Sequence, residues 1–243
     1  MDPSRIAELL GPFLMDDDRQ QSKPPTILYE HISTYIDILL HWNARINLTA
    51  IRNKEEIVTR HFGESLFAAR HLFPKFYPVS SSVSPVVKDF EVEVDVAGAR
   101  SPKAEARVAD LGSGAGFPGI PIKLWAPNIA LTLIESNQKK ATFLREVARA
   151  LTLTDINIQN VRAETLPPST FNVVALRAVE RLEKILPVAA RLVFPSGRLA
   201  LLIASSQLEA TRSTLPDVDW KPPLQVPQSQ SRLLLLSRPE PRK

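Results

Sequence analysis

The twelve residues VADLGSGAGFPG, 108 to 119, join an apolar strand, a carboxylate and a turn with glycine at 112, 114, 116 and 119. Glycine at this spacing lets the backbone approach a ligand with which a Cβ would collide, the construction of a nucleotide-cradling turn. Gly114, Gly116 and Gly119 satisfy the G-x-G-x-x-G string of dinucleotide enzymes, so NAD(P)-dependent hydride transfer is one reading. Asp110, two residues before the first glycine, favours another. In a dinucleotide site the turn and the following helix N-terminus receive a pyrophosphate, which an adjacent carboxylate would oppose. A carboxylate suits a ligand with a cationic head, and S-adenosylmethionine has an ammonium, a sulfonium and no phosphate. The order acidic-x-Gly-x-Gly-x-Gly therefore reads best as the first motif of a class I methyltransferase. Asp110, Gly112, Gly114 and Gly116 are its candidate cofactor-binding residues, against the plainer alternative of a tight turn without a ligand.

The apolar run ALTLIE, 130 to 135, ends in Glu135 about twenty residues beyond the glycines, where a carboxylate can accept both ribose hydroxyls. Both nucleotide readings use this acid, so Glu135 marks a nucleoside without separating them; a solvated strand-end glutamate is the alternative.

With 243 residues the chain can hold one α/β domain and an extra element. It contains no cysteine, which removes the disulfide framework, the thiolate metal site and the covalent cysteine adduct used to methylate carbon 5 of a pyrimidine. The four histidines, at 31, 41, 61 and 71, lie before the glycine motif, so no metal is expected. No apolar run is long enough to span a bilayer, and MDPSRIAELL lacks the layout of a signal peptide; a cytoplasmic protein is expected. The net charge of +4 favours a polyanionic partner. Lys139, Lys140, Arg145 and Arg149 stand in one predicted helix, either as a solvated face or as a contact for RNA phosphates.

The elements around the motif alternate. Strands are predicted at 107–111, 130–135, 156–161, 171–176 and 197–203, and helices at 117–126, 138–150 and 180–193, an order that implies a mainly parallel sheet. Segments 220–226 and 232–237 can supply a closing antiparallel pair. Upstream, helical periodicity covers 3–14, 27–42 and 54–72, the last with Ile57, Val58, Phe62, Leu66 and Ala69 inward. The expected organisation is an N-terminal helical appendage (1–73), a linker or insertion (74–106) with a local strand at 90–96, a methyltransferase domain (107–238) and a basic tail (239–243).

The segments HWNARINLTAI, RHFGESL, VADLGSGAGFPGIPI and LRAVERL, read together, resemble the small-subunit rRNA methyltransferase G family, also called glucose-inhibited division protein B, over about residues 27 to 205. The resemblance implies a class I, Rossmann-like α/β fold with a mainly parallel seven-stranded sheet. It also implies S-adenosylmethionine as methyl donor and N7 of a guanine in the 530 loop of 16S rRNA as acceptor, on free RNA or on the 30S subunit; separately from the resemblance, a monomer is expected. By position it puts Gly112 and Phe117 against the cofactor, Ala163 and Glu164 beside its adenine, and Arg177 in the active site. The family's lysine-glycine pair at the end of the fifth strand is Ile203-Ala204 here, and Glu64 stands where aspartate is common.

Residue chemistry is compatible with these roles. Arg177, after the fourth strand, can hold an RNA phosphate or the methionine carboxylate, or else pair with Glu180 or Glu183. Guanine N7 carries an exposed lone pair, so its methylation needs alignment and no general base. Asp110, Glu64 or a backbone carbonyl can ease the positive charge that develops on the purine. The fourth strand ends Ala175-Leu176-Arg177-Ala178, without the Asn-Pro-Pro-Tyr type that accepts an exocyclic amino proton. Arg60 and His61 can face RNA or the cofactor pocket, or serve packing. The other readings are a small-molecule methyltransferase, the NAD(P)-dependent oxidoreductase, and a nucleotide-binding protein without turnover. Reversing two charges among Lys139, Lys140, Arg145 and Arg149 is expected to weaken RNA binding and flatten its salt dependence while cofactor affinity is kept; an unchanged salt slope would refute the phosphate contact.

Overall fold

A computed structural model describes residues 1–15, 24–74, 104–177 and 181–239. The strand expected at 90–96 and the basic residues Arg242 and Lys243 lie outside the described residues.

The strands β1 (Arg107–Leu111), β2 (Ala130–Ile134), β3 (Ile156–Gln159), β4 (Phe171–Arg177) and β5 (Val193–Ala204) run parallel. β6 (Leu224–Gln225) and β7 (Arg232–Leu236) close the seven-stranded sheet in the order β3-β2-β1-β4-β5-β7-β6, with β7 antiparallel to both neighbours. The sheet is the class I, Rossmann-like arrangement expected from the alternation of elements. The chain order reverses direction at β1, which lies between β2 and β4, and such a switch point opens a crevice outside the carboxyl ends of the strands. Register brings the ends together there: Leu111 lies opposite Ile134, and Asp110 lies opposite Ala175.

Successive strand residues feed opposite faces, as the pleat requires. Val108, Leu131, Leu133, Val173, Ala175, Ala200 and Leu202 join one core, and Ala109, Leu111, Ile134, Val174, Leu176, Leu199 and Leu201 the other. The second core is covered by α7 (Leu182–Leu192), through Leu182, Leu186, Ala189 and Leu192, and Leu208 of α8 (Leu208–Thr214) packs against it. The first core takes α5 (Gly119–Trp125) and α6 (Gln138–Ala150), together with α1 (Pro3–Leu14), α2 (Thr26–Asn43) and the helices that follow. The N-terminal helices thus share the core of the sheet instead of standing apart from it.

The expected helix at 54–72 is built from α3 (Lys54–Glu56), a π segment (Ile57–Gly63) and α4 (Glu64–Leu72). Periodicity assigned it one inward face, yet every residue from 61 to 70 is buried, His61, Glu64, Ser65 and Arg70 included. The small residues Gly63, Ser65, Ala68 and Ala69 allow close approach from all sides, and a helix covered all round no longer needs a polar stripe. The π geometry depends on hydrogen-bond spacing, which residue type does not encode. Other boundaries shift modestly. The helix after the glycine turn begins at Gly119, because the turn continues through Pro118, and the expected 220–226 strand is reduced to Leu224–Gln225 with a bridge from Trp220 to Ser237.

Gly63 is where α1 crosses this buried helix, and an added Cβ would lie 2.8 Å from three atoms of the Phe13 ring. Phe13 is itself buried and has no room to yield. Gly63→Ala would gain about 0.5–1 kcal/mol of helix propensity but cost about 1–3 kcal/mol in overpacking. Net destabilisation, read from the denaturant midpoint, is expected; a stabilised variant would show that α1 is loosely seated.

Candidate active site at the carboxyl ends of the strands

The glycine turn leaves β1 at Leu111 and delivers the chain to α5. Its backbone is not helical: φ is +68° at Gly112, +54° at Gly114 and +83° at Gly116. The two central glycines serve different ends. At Gly114 a Cβ would meet only the Gly112 carbonyl oxygen, at 3.7 Å, so the backbone is uncrowded and open to a ligand. At Gly116 a Cβ would run into the Tyr35 hydroxyl and Ile120. That glycine admits protein, not ligand.

Side chains from outside hold the turn. Glu135, just beyond β2 and 7% exposed, accepts the Gly114 amide at 2.8 Å on Oε2 and the Asn137 amide at 2.7 Å on Oε1. Each carboxylate oxygen retains capacity for a further hydrogen bond, such as one from a ribose hydroxyl. Asp110 takes a different place from the one its type suggested. It is wholly buried behind the turn, where Oδ2 accepts the Gly119 amide at 3.0 Å and Oδ1 has no hydrogen-bond partner among the described residues. Burial pushes its carboxyl up to about 7, against the pull of the Gly119 hydrogen bond. A group so enclosed shapes the turn.

Phe117 is buried too. Its ring stacks on Tyr35 at 5.4 Å and on His61 at 4.8 Å, and meets the Phe62 edge at 5.1 Å. The Tyr35 hydroxyl donates to the Ala115 carbonyl at 2.5 Å, so α2 grips the turn by both ring and hydroxyl. Ala163 is buried and Glu164 exposed in a short 3-10 turn after β3, near the same edge of the sheet.

The Asn-Leu-Thr segment also acquires a role. The Asn43 amide donates to the Thr49 carbonyl at 2.9 Å while its oxygen accepts the amides of Leu48 and Thr49 at 2.9 and 3.1 Å, folding the loop back. The Thr49 hydroxyl then hydrogen-bonds His61 Nε2 at 2.8 Å. Burial, with the nearby charges of Arg177 and Arg60, lowers the His61 pKa to about 3, so its ring is neutral and serves packing. Trp42 meets the Phe143 ring at 6.0 Å.

Arg177 ends β4. Glu183 is exposed, Glu180 lies outside the described residues, and the guanidinium instead pairs with Glu64 of α4, 2.9 Å away. Glu64 is therefore already engaged, as Arg60 also pairs with it at 3.1 Å. Burial lowers the Arg177 pKa from its ordinary value, opposed by Glu64 and reinforced by the fields of Arg232 and Arg60. Sequence reasoning missed this pairing because Glu64 and Arg177 are 113 positions apart in the chain and no local pattern links them.

Lys139, Arg145 and Arg149 line the exposed side of α6, and Lys140 is half-buried. Ile203 is buried in β5, and Ala204 lies opposite Arg232. Among the described residues no group of His, Asp or Glu side chains could hold a metal ion, and no helix is long and apolar enough to cross a membrane.

Comparison with known proteins follows the same outline. The family model described as rRNA small subunit methyltransferase G matches residues 28–77 and 95–226. The ribosomal RNA small subunit methyltransferase G of Xylella fastidiosa (strain 9a5c) is 34% identical over 197 residues, covering 80% of this chain and 78% of that protein. The protein of the same name from Chloroflexus aggregans is 31% identical over 220 residues, covering 86% and 80%. Among solved structures, the ribosomal protein L11 methylase of Lactobacillus delbrueckii subsp. bulgaricus shares the fold, with a TM-score of 0.52 and 16% identity over 77% of this chain and 80% of that one.

Asp110 gives the site a pH signature. Its folded pKa stands above the ordinary value of 3.8, so between about 4 and 7 the folded state binds the extra proton, and this contribution to stability is lost as pH rises. His61 acts in the opposite sense, its depressed pKa removing stability as pH falls below its ordinary value of 6.5. The stability difference between wild type and Asp110→Asn isolates the first effect: wild type should lose ground to the variant from pH 4 to 7 in denaturant titrations. A pH-independent difference would mean that Asp110 is ionised throughout.

Proposed function

The chain belongs to the rRNA small subunit methyltransferase G family, S-adenosylmethionine-dependent enzymes of 16S rRNA, and we propose that the atom it methylates is N7 of a guanine in the 530 loop. The observation that carries the choice of atom is the end of β4: Arg177 stands there, a cation tied to Glu64, where methylation of an exocyclic amine would call for a proton acceptor. A cation cannot remove a proton from an amino group, and N7 has none to lose.

The residues of the crevice fit the methyl donor. Gly114 offers an uncrowded backbone, and Glu135 offers carboxylate oxygens with hydrogen-bonding capacity to spare for a ribose. Ala163 and Glu164 border the adenine in this reading, and Gly112 lines the cofactor side of the turn. Phe117 acts from behind, as a buried ring that fixes the turn carrying those contacts. Asp110 acts likewise, through Gly119. When bound, S-adenosylmethionine would supply a sulfonium methyl whose carbon a neutral ring nitrogen can attack, the C–S bond breaking as the N–C bond forms and the sulfur leaving as a neutral thioether. The chain contributes orientation: Arg177 holds an oxyanion of cofactor or RNA, and the crevice walls align the base, which can remove several kcal/mol from the barrier.

The exposed row of Lys139, Arg145 and Arg149 serves RNA phosphates in this reading, on free 16S rRNA or on the 30S subunit, and the protein acts in the cytoplasm as a monomer.

Titration calorimetry with S-adenosylmethionine and with NAD is expected to show saturable binding of the first alone, reduced more than about tenfold in Glu135→Ala by loss of hydrogen bonds to a charged group. Incubation with 16S rRNA and 30S subunits, followed by N7-specific chain cleavage, should then place the product in the 530 loop. NAD binding would overturn the cofactor, and modification elsewhere would overturn the target.

A further inference from the structure

Glu64 belongs to no part of the glycine turn, yet it lies only 2% exposed against the residue that ends β4. Arg177 Nε and Nη2 donate to Glu64 Oε2 at 3.1 and 2.9 Å, and Nη2 donates also to the Arg60 carbonyl at 2.7 Å. Arg60 Nε donates to the other oxygen, Oε1, at 3.1 Å. A guanidinium has one hydrogen on Nε and two on each terminal nitrogen. These bonds therefore occupy Nε and both hydrogens of Nη2, and Nη1 alone has no partner among the described residues. Because the group is planar and rigid, fixing two nitrogens fixes the direction of the third. Two guanidiniums also share one buried carboxylate, so these three groups together carry a net positive charge. Among the described residues the one further acid within reach is the exposed Glu56, 4.0 Å from the far side of Arg60.

We propose that Glu64 is a positioning residue for methyl transfer: by occupying Nε and Nη2 it presents Nη1 of Arg177 as a fixed donor to an oxyanion of the bound ligand, the methionine carboxylate or an RNA phosphate. The N-terminal helices then complete the active site, because Arg177 cannot be aimed from β4 alone. A buried pair of this kind adds little net stability once the cost of removing both charges from water is counted, which leaves orientation as its return. The inference rests on the rRNA methyltransferase reading above.

The test compares full-length wild type, Glu64→Gln, Arg177→Lys and the double variant, by thermal melting and by steady-state kinetics with S-adenosylmethionine and 16S rRNA varied in turn. Arg177→Lys, which loses the fork, is expected to raise one of the two KM values about tenfold, the loss of a hydrogen bond to a charged group. A raised donor KM identifies the methionine carboxylate as the oxyanion, and a raised RNA KM identifies a phosphate. Glu64→Gln should raise that same KM, and the double variant should be no worse than Arg177→Lys. Additive losses, a folded Glu64→Gln with both KM values unchanged, or an unchanged Arg177→Lys would overturn the proposal. If Glu64→Gln melts below the assay temperature, Glu64→Asp, which keeps the charge on a shorter arm, takes its place: a rise in the same KM supports positioning and unchanged values overturn it. Absence of methyl transfer by wild type to both 16S rRNA and 30S subunits would overturn the proposed function itself, and this inference with it.

Discussion

The glycines of the turn carry no side chains with which to hold its shape, so much of its conformation depends on polar groups brought to it from other elements. Glu135 takes the Gly114 amide, Asp110 takes the Gly119 amide, and the Tyr35 hydroxyl gives its hydrogen to the Ala115 carbonyl. Each partner arrives on a different element: the end of β2, β1 itself, and α2. Buried amides and carbonyls left unpaired cost on the order of 1–3 kcal/mol each, so the turn is stable only once the sheet has formed and the N-terminal helices have docked.

This dependence explains the aromatic cluster. Tyr35 and His61 stack on Phe117, and Phe62 stands edge-on to Tyr35 and Phe117, so that the four rings join α2, the π segment and the turn. Apolar burial and ring contacts supply the attraction, while the hydroxyl of Tyr35 selects the geometry. The neutrality of His61 belongs to the same arrangement, since a cation there would be buried and would also face Arg177 and Arg60. Charge is handled next to it by Glu64, buried between the two arginines.

The N-terminal helices therefore stand in the same relation to the site as the strands do. They contribute Tyr35, Glu64 and the Thr49–His61 contact, and their apolar residues share the core beneath β1, β2 and β4. A chain reading that treats them as an appendage describes their place in sequence and overlooks their place in the packing.

Local sequence determined the sheet, the glycine turn and the acid after β2, because strand alternation, turn glycines and the spacing from turn to Glu135 are all short-range properties. It also specified residue types, a carboxylate at 110 and an arginine at 177, without specifying what those groups face. Only the tertiary structure decided that Asp110 lies behind the turn, that Gly116 accommodates Tyr35, and that Arg177 pairs with Glu64, 113 positions away in the chain. The physical reason is common to the three. A buried polar group is assigned its role by whichever partner the packing brings within hydrogen-bond distance, and packing is a property of the whole chain.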